Sequence, residues 1–420
     1  MQEMLSLKNL FSAKGLSAIA LGTVSVIGVT GAAVSSSIAS SDKIISGVTF
    51  EGQSIAGLNE SSAKKFFEGE GAKKIHPLTF QYEGQTFEVQ PSEINWSANV
   101  NQAVDDAESF GRGHGILKDM SEQISAAMKG RSVNLAAAYD EDLLKQKLDD
   151  IATQINRQPV NARVNYYGSG MIEPIAGVIG KKLDTEKIAE SLKNPLNNLT
   201  LSPDAINLEP EDILPYVTTE DVENVDAVLG SYSTNYSPGS RGDNIALAAS
   251  SLFDKMIKPS WEFSFNDTVG HRTYAAGYQN AGVIVDGRAD VGVGGGVCQV
   301  SSTLYNAGLL AGLTPTERSP HYFKSSYVAA GRDATVADDL LDLKFRNDLK
   351  HPVFLKTYAS GSTLTIYVLG TRADLDGANI SIESSGSAYG TSVYRVYRKD
   401  GAVVKDEFLH TDNYHTNSNS

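Results

Sequence analysis

Hydrophobic and polar positions follow three different rhythms along the chain. From Gly15 to Ala39 there is no charged residue, only Ala, Val, Ile, Leu, Gly, Ser and Thr, and the run exceeds the roughly 20 residues that carry a helix across a bilayer. Lys8 and Lys14 precede it, on the side that stays in the cytoplasm. The pattern predicts a membrane anchor over 1–40 with everything after it exported. Ser37-Ile38-Ala39 keeps a cleaved signal peptide as the alternative.

Short strands and amphipathic helices come next. "ISGVTFEGQSIAGLNESSAKKFFEG" reads as an alternating strand, then a helix entered through Asn59, a favoured capping residue. "PLTFQYEGQTFEVQP" is two strands about a Glu83-Gly84 turn. Val100, Val104 and Ala107 stand about a turn apart, with Phe110 near the same face. The order then recurs: an amphipathic helix in "YDEDLLKQKLDDIATQI", two strands in "ARVNYYGSGMIEPIAG" and a capped helix in "KKLDTEKIAESLK". Leu58-Asn59 and Leu183-Asp184 introduce the two capped helices in the same way. We read two related α+β modules, 43–130 and 131–216, as binding surfaces or spacers.

Beyond "VTTEDVENVDAVLGSYSTNY" the pattern changes again. "NIALAASSLFDKMI" predicts a helix with Ala246, Leu247, Ala249, Leu252, Phe253 and Met256 on or near one face. "WEFSFNDTV" predicts a strand with Trp261, Phe263 and Phe265 on one side. Hairpins are expected about Ser360-Gly361 and Asp400-Gly401. The fold class expected is therefore α+β: an anchor, two small repeat modules, and a mainly β C-terminal domain in which one helix carries a cysteine at its N-terminus.

Composition narrows the function. A net charge of -14 argues against nucleic acid, whose phosphates repel such a surface. The 420 residues contain one cysteine, so no intramolecular disulfide can form, and a lone thiol in an exported protein calls for an explanation. "GGGVCQVSSTLYNAGLLAGL" holds it. Gly294, Gly295 and Gly296 allow positive φ and a close approach to a ligand. Val300, Leu304, Ala307 and Ala311 then form an apolar stripe, and Gly312 before Thr314-Pro315 stops the helix. Cys298 is thus expected at a helix start, where unpaired N–H groups and the dipole favour thiolate and could also hold an oxyanion.

A base is still required. Among seven histidines, His321 in "ERSPHYFKSSYVAAGRDATV" is the first candidate and His271 its rival. Asp333 or Asp338 is the candidate orienting acid, and Arg332 a donor for a substrate carboxylate. One cysteine with scattered histidines shows none of the paired spacings of zinc sites. "RGD" at Arg241 to Asp243 reads as a charged turn after Pro238-Gly239, and no Lys-Ser or Lys-Thr follows the glycines to make a phosphate loop.

"SYSTNY", "WEFSFNDTVG", the cysteine segment, "ERSPHYF", "YVAAGRDATV" and "DLKFRN" stand in the order and spacing of the VanW-like domain, named from vancomycin-resistance clusters, which this chain resembles over about Ser231 to Gly370. The domain is set at 228–370, with a C-terminal β extension and tail over 371–420. The upstream modules resemble the peptidoglycan-binding domain that often precedes it. The resemblance implies an extracytoplasmic cell-wall protein, with Cys298 as the nucleophile of an L,D-transpeptidase. It places the family histidine on His321 and the Gly-Arg-Asp on Gly331, Arg332 and Asp333. His321-Tyr322-Phe323 departs from the commoner His-Ser-Tyr, and Ala329-Ala330 stands where a proline is frequent.

The expected site is therefore Cys298, His321 and Asp333 as catalytic residues, with Gly295, Gly296, Gln299, Ser302, Tyr327 and Arg332 binding substrate. No metal or cofactor is needed. The expected partners are peptidoglycan stem peptides and glycan, and a membrane through the N-terminal helix, but not nucleic acid. A non-catalytic peptidoglycan-binding protein of the envelope is the alternative.

Overall fold

The computed structural model describes residues 42–285, 288–387 and 390–415; the run expected to be an anchor lies outside them. Among the described residues the fold is a mixed α+β one of small sheets and nine α-helices, and none of those helices is long and apolar enough to cross a membrane. Two compact units form, one from residues up to 151 with 185–208, the other from 152–184 with 209–420. The 131–216 stretch is therefore shared between them.

The first unit holds helices α1 (Glu60–Lys74), α2 (Val100–Ser109), α3 (Ile116–Lys129), most of α4 (Glu141–Ile155) and α5 (Thr185–Asn197). Asn59 caps α1 as expected, its side chain accepting from Ser62 N at 2.9 Å. Strands Leu78–Tyr82 and Gln85–Val89 are joined through Glu83 and Gly84, both at positive φ, the backbone of a tight hairpin turn. Ile206–Asn207 adds to that sheet in parallel. Phe67, Phe80, Ile94, Leu144, Leu148 and Leu196 are fully buried, and Trp96 donates its indole N–H to Leu196 O at 3.1 Å. α3 is an element that the periodicity analysis passes over.

The second unit carries α6 (Thr219–Val222), α7 (Ser240–Leu252), α8 (Phe265–Val269) and α9 (Val297–Leu310). Its strands are β1 (Ala227–Asn235), β2 (Met256–Ile257), β3 (Glu262–Ser264), β4 (Asn280–Val285), β5 (Arg288–Val293), β6 (Thr314–Glu317), β7 (Lys344–Arg346), β8 (Val353–Ser360) and β9 (Thr363–Gly370). A C-terminal meander follows, β10 (Asn379–Gly386), β11 (Thr391–Lys399) and β12 (Ala402–Asp412). The antiparallel sheet β1-β9-β8-β2 shares one core with α7 and α9, containing Ile245, Leu252, Val300, Leu304, Leu355, Leu364 and Ile366. Both expected hairpins form: β8–β9 through Gly361 and Ser362, β11–β12 through Asp400 and Gly401, all four residues at positive φ.

Three local expectations are corrected. The β3 strand stops at Ser264, whose hydroxyl accepts from Asp267 N at 3.0 Å and so starts α8 at Phe265; the capping serine outcompetes the alternation. Arg241 to Asp243 is not a turn but the first helical turn of α7, with Gly239 as its cap. The buried face of α7 is Ile245, Ala248, Ala249 and Leu252, while Phe253, beyond its last residue, is 42% exposed.

α9 is buried on almost every side, polar residues included. Gly308 explains how closely it packs: a Cβ there would stand 2.7 Å from the Phe345 ring. At Gly230 on β1 a Cβ would stand 2.4 Å from Ala307 O, so the strand backbone touches the helix backbone.

Candidate functional site

Gly296 at φ +111° caps α9, a conformation costly for any other residue, and Cys298 follows as its second residue. The space that glycine leaves here is filled by the chain itself. A Cβ would stand 2.8 Å from Arg272 Cβ at Gly294, 2.7 Å from Gly282 O at Gly295 and 3.0 Å from Arg241 O at Gly296. Substrate contact at Gly295 or Gly296 thus has only their peptide groups to use. Gly295→Ala would press on β4 backbone that cannot rotate away, and we expect a loss of about 1–3 kcal/mol in denaturant titration together with slower alkylation of Cys298.

The segment Arg332–Val336 runs beside α9 and is stitched to it by polar side chains one helical turn apart. Cys298 Sγ stands 3.4 Å from Val336 O. Ser302 Oγ donates to Cys298 O at 2.7 Å and accepts from Ala334 N at 2.9 Å. Asn306 donates to Arg332 O at 2.7 Å. Residues 298, 302 and 306 form an i, i+4, i+8 face, and Ser301 adds a bond to Ala334 O at 2.7 Å. This polar stripe is visible in the sequence beside the apolar one, but which segment it holds is settled only by the fold.

That stitching brings Asp333 under His321. One carboxylate oxygen accepts from both the His321 backbone N–H and Nδ1, each at 2.6 Å, which leaves Nε2 for the far side. There the imidazole is close enough to the Cys298 thiol for each to shift the other's ionisation, and the Tyr327 hydroxyl lies 3.3 Å from Nε2. Of the two candidate histidines, His321 is the one whose charge acts on the thiol, and Asp333 is the acid that holds its ring. His271 is exposed and lies 3.8 and 3.9 Å from Asp338 and Asp339, while Asp338 accepts from Arg272 N at 2.9 Å and pairs with its guanidinium.

Electrostatics favour an ion pair at this contact. Burial works against the charged form of His321, but its bonds to Asp333 and Cys298 outweigh it and push the pKa up to about 9. Burial would raise the Cys298 thiol; the His321 bond and charge, with the Arg272 charge, hold it below its ordinary value. Burial likewise disfavours the Asp333 carboxylate, and its bonds from His321 and Tyr414 keep it ionised below the usual range. Cys298 as a residue is half-buried.

Other expected residues have different surroundings. Gln299 is 2% exposed; its amide donates to Thr234 Oγ1 at 3.0 Å and Asn235 O at 2.8 Å and accepts from Arg241 at 3.2 Å. Its side chain is committed to tying α9 to β1 and α7. The Arg332 guanidinium bonds Asn306 Oδ1 and lies 5.5 Å from the centre of the Tyr232 ring, so it packs inside the domain. Among the described residues His114, Asp119 and Glu122 lie within metal-ligand distance of one another, yet Asp119 and Glu122 already accept from the His114 and Gly111 N–H groups.

The C-terminal meander supplies a second layer that sequence reasoning missed. Tyr414 donates to Asp333 Oδ1 at 2.5 Å and accepts from Gly331 N at 2.7 Å. Arg318 donates to both oxygens of Asp412 at 2.6 Å, to Asp333 O at 2.7 Å and to Asp333 Oδ1 at 3.2 Å. His410 reaches Tyr305 of α9 at 2.8 Å. Local sequence could not reveal these partners, because about 80 to 95 residues separate Asp412 and Tyr414 from what they hold.

A thiol at a helix start, beside an imidazole that is hydrogen-bonded to a carboxylate on the adjoining loop, makes a Cys–His–Asp constellation within an α+β domain. The chain belongs to the VanW-like family. The "VanW like protein" model matches residues 240–369 and the "Putative peptidoglycan binding domain" model residues 87–202. The uncharacterized protein YoaR of Bacillus subtilis (strain 168) is 35% identical over 283 residues, 66% of this chain and 87% of YoaR. The vancomycin B-type resistance protein VanW of Enterococcus faecalis (strain ATCC 700802 / V583) is 33% identical over 146 residues, 33% of this chain and 52% of that protein. No solved structure matches the chain. Family and domain together give a cell-wall-associated protein with peptidoglycan as its partner.

Proposed function

We propose that the protein is a membrane-anchored, extracytoplasmic L,D-transpeptidase that cross-links peptidoglycan stem peptides through Cys298. The observation that carries this reading is the Cys298–His321–Asp333 series, with the imidazole pKa raised and the thiol pKa lowered, the state a thiolate nucleophile needs. The thiolate adds to a stem-peptide carbonyl, and peptide N–H groups at the start of α9 hold the oxyanion, since the Gln299 amide is already bonded. Imidazolium His321 gives its proton to the departing amine, leaving a thioester and neutral imidazole. The amine of a second stem then attacks the thioester, His321 takes its proton, the thiolate departs and a new amide remains. Water in place of that amine gives a carboxypeptidase. Tyr327 and Ser302 flank the pair, Tyr327 from the imidazole side and Ser302 from the helix side.

Purified protein incubated with muropeptides is expected to yield cross-linked dimers and a Cys298-bound acyl adduct, both lost in Cys298→Ala. Dimers that persist in that variant exclude the mechanism. Under the peptidoglycan-binding reading, which the match over 87–202 favours, Cys298→Ala leaves wall binding intact and wild-type protein forms no adduct.

A further inference from the structure

Helix α3 is amphipathic with its faces reversed. Leu117, Met120, Ile124 and Met128 stand at i, i+3, i+7 and i+11 and are 86, 42, 56 and 79% exposed, whereas the inward side carries Asp119, Glu122, Gln123 and Ala126. The polar inner face is spent on the preceding loop: Glu122 accepts from Gly111 N at 3.0 Å and Gln123 donates to Gly111 O at 2.9 Å. A surface helix normally does the opposite, and a row of large apolar side chains in water is the mark of an interaction surface.

The entry of the chain says what covers it. Gly47 lies against α3, where a Cβ would stand 2.1 Å from Ala126 O, and its carbonyl accepts from Arg131 N at 2.9 Å. The Arg112 guanidinium, just before α3, bonds Lys43 O. Lys43 therefore sits beside the helix, and the uncharged run ends at Ala39. Four residues span at most about 14 Å, so the chain connection keeps the end of that run within about that distance of Lys43. Lys129 and Arg131 are exposed at its edges, as is Lys118, 3.9 Å from Glu122, and such cations suit anionic headgroups. With 14 residues the helix is about 21 Å long, too short to cross a bilayer and suited to lying in its surface.

We propose that α3 docks in the headgroup layer of an anionic membrane, with Leu117, Met120, Ile124 and Met128 in the acyl boundary, holding the first unit against the bilayer. This rests on the reading of Gly15 to Ala39 as a bilayer anchor. The full chain carrying Cys298→Ser and Met128→Cys, labelled with a polarity-sensitive fluorophore, is reconstituted in vesicles containing phosphatidylglycerol. A label at Val403→Cys, on an exposed strand residue, reports background. The Met128 label is expected to shift to the blue and to be quenched by lipid-borne nitroxide at least twofold more than the Val403 label. A Met128 label that stays open to aqueous iodide on carbonate-resistant, vesicle-bound protein overturns the docking alone. A label shielded from iodide but untouched by the lipid quencher points to a protein occupant and also overturns it. Protein stripped from vesicles by carbonate overturns anchor and docking together.

Discussion

Asp333→Asn is expected to cut the acyl-transfer rate by about 10⁴-fold, the scale on which an orienting aspartate beside a catalytic histidine acts, while leaving Cys298 in place. The carboxylate that holds both the backbone N–H and Nδ1 of His321 is 1% exposed, so its charge is felt at low dielectric. An amide in its place withdraws the support for imidazolium, and the His321 pKa falls from about 9. The thiol then loses its cationic partner, and its pKa climbs toward the ordinary value near 8.5. Two measurements read this. In the wild type, the rate of alkylation of Cys298 against pH should have its inflection well below 8.5, because the thiolate is stabilised by His321. Acyl transfer should follow a bell, its alkaline limb near 9 where imidazolium is lost. Asp333→Asn should move the alkylation inflection upward and the alkaline limb to lower pH. An unchanged alkylation profile in the variant would show that His321 does not govern the thiol.

The largest stability effect belongs to the buried pair outside the catalytic series. Asp412→Ala should destabilise the folded chain by about 3–5 kcal/mol, because it leaves a buried cation uncompensated. Arg318 is 7% exposed at its side chain and Asp412 4%, and their two bonds of 2.6 Å form the bidentate fork that arginine makes best. Replacing both partners together, as Arg318→Met with Asp412→Leu, should recover much of the loss, since no charge then remains to be desolvated. The pH dependence follows from the sign of the shift. Burial would raise the Asp412 carboxyl, but the neighbouring His410 ring and the bonds from Arg318 hold it below the usual carboxylate range. A depressed folded pKa gives stability that is present above the unfolded value near 3.9 and is lost as pH falls below it. Denaturant midpoints of the wild type should drop through that acid window, and those of the double variant should drop less.

Arg318 also bonds Asp333, and Tyr414 bridges Asp333 to Gly331, so this pair buttresses the carboxylate that holds His321. The strand β12 that brings Asp412 and the residue Tyr414 beyond it lie outside the VanW match, which ends at residue 369. Damage to the end of the chain is thereby transmitted to the site through two side chains.

What could be read from the chain in order is what depends on neighbours in order. Periodicity placed α2 and α9, the Asn59 cap placed α1, and Ser-Gly and Asp-Gly signals placed both C-terminal hairpins, the first of them one residue early, since its positive-φ pair is Gly361-Ser362. Cysteine at the start of α9 followed from the glycine cap before an apolar stripe. The reading failed where a nearby polar group outcompeted the pattern, as Ser264 does in ending β3. It failed again at α3, whose apolar face does not point to a core.

The residue types alone determined that a lone thiol stands at a helix start with histidine and aspartate nearby in the sequence, because those signals are local. Tertiary structure alone decided that His321 rather than His271 meets the sulfur and that Asp333 rather than Asp338 holds the ring. It also decided that the Gln299 and Arg332 side chains are bonded within the domain and that Asp412 and Tyr414 return from far along the chain to bond Arg318 and Asp333. Such choices depend on which distant segments lie side by side, and that is fixed by burying one shared core and satisfying every polar group within it.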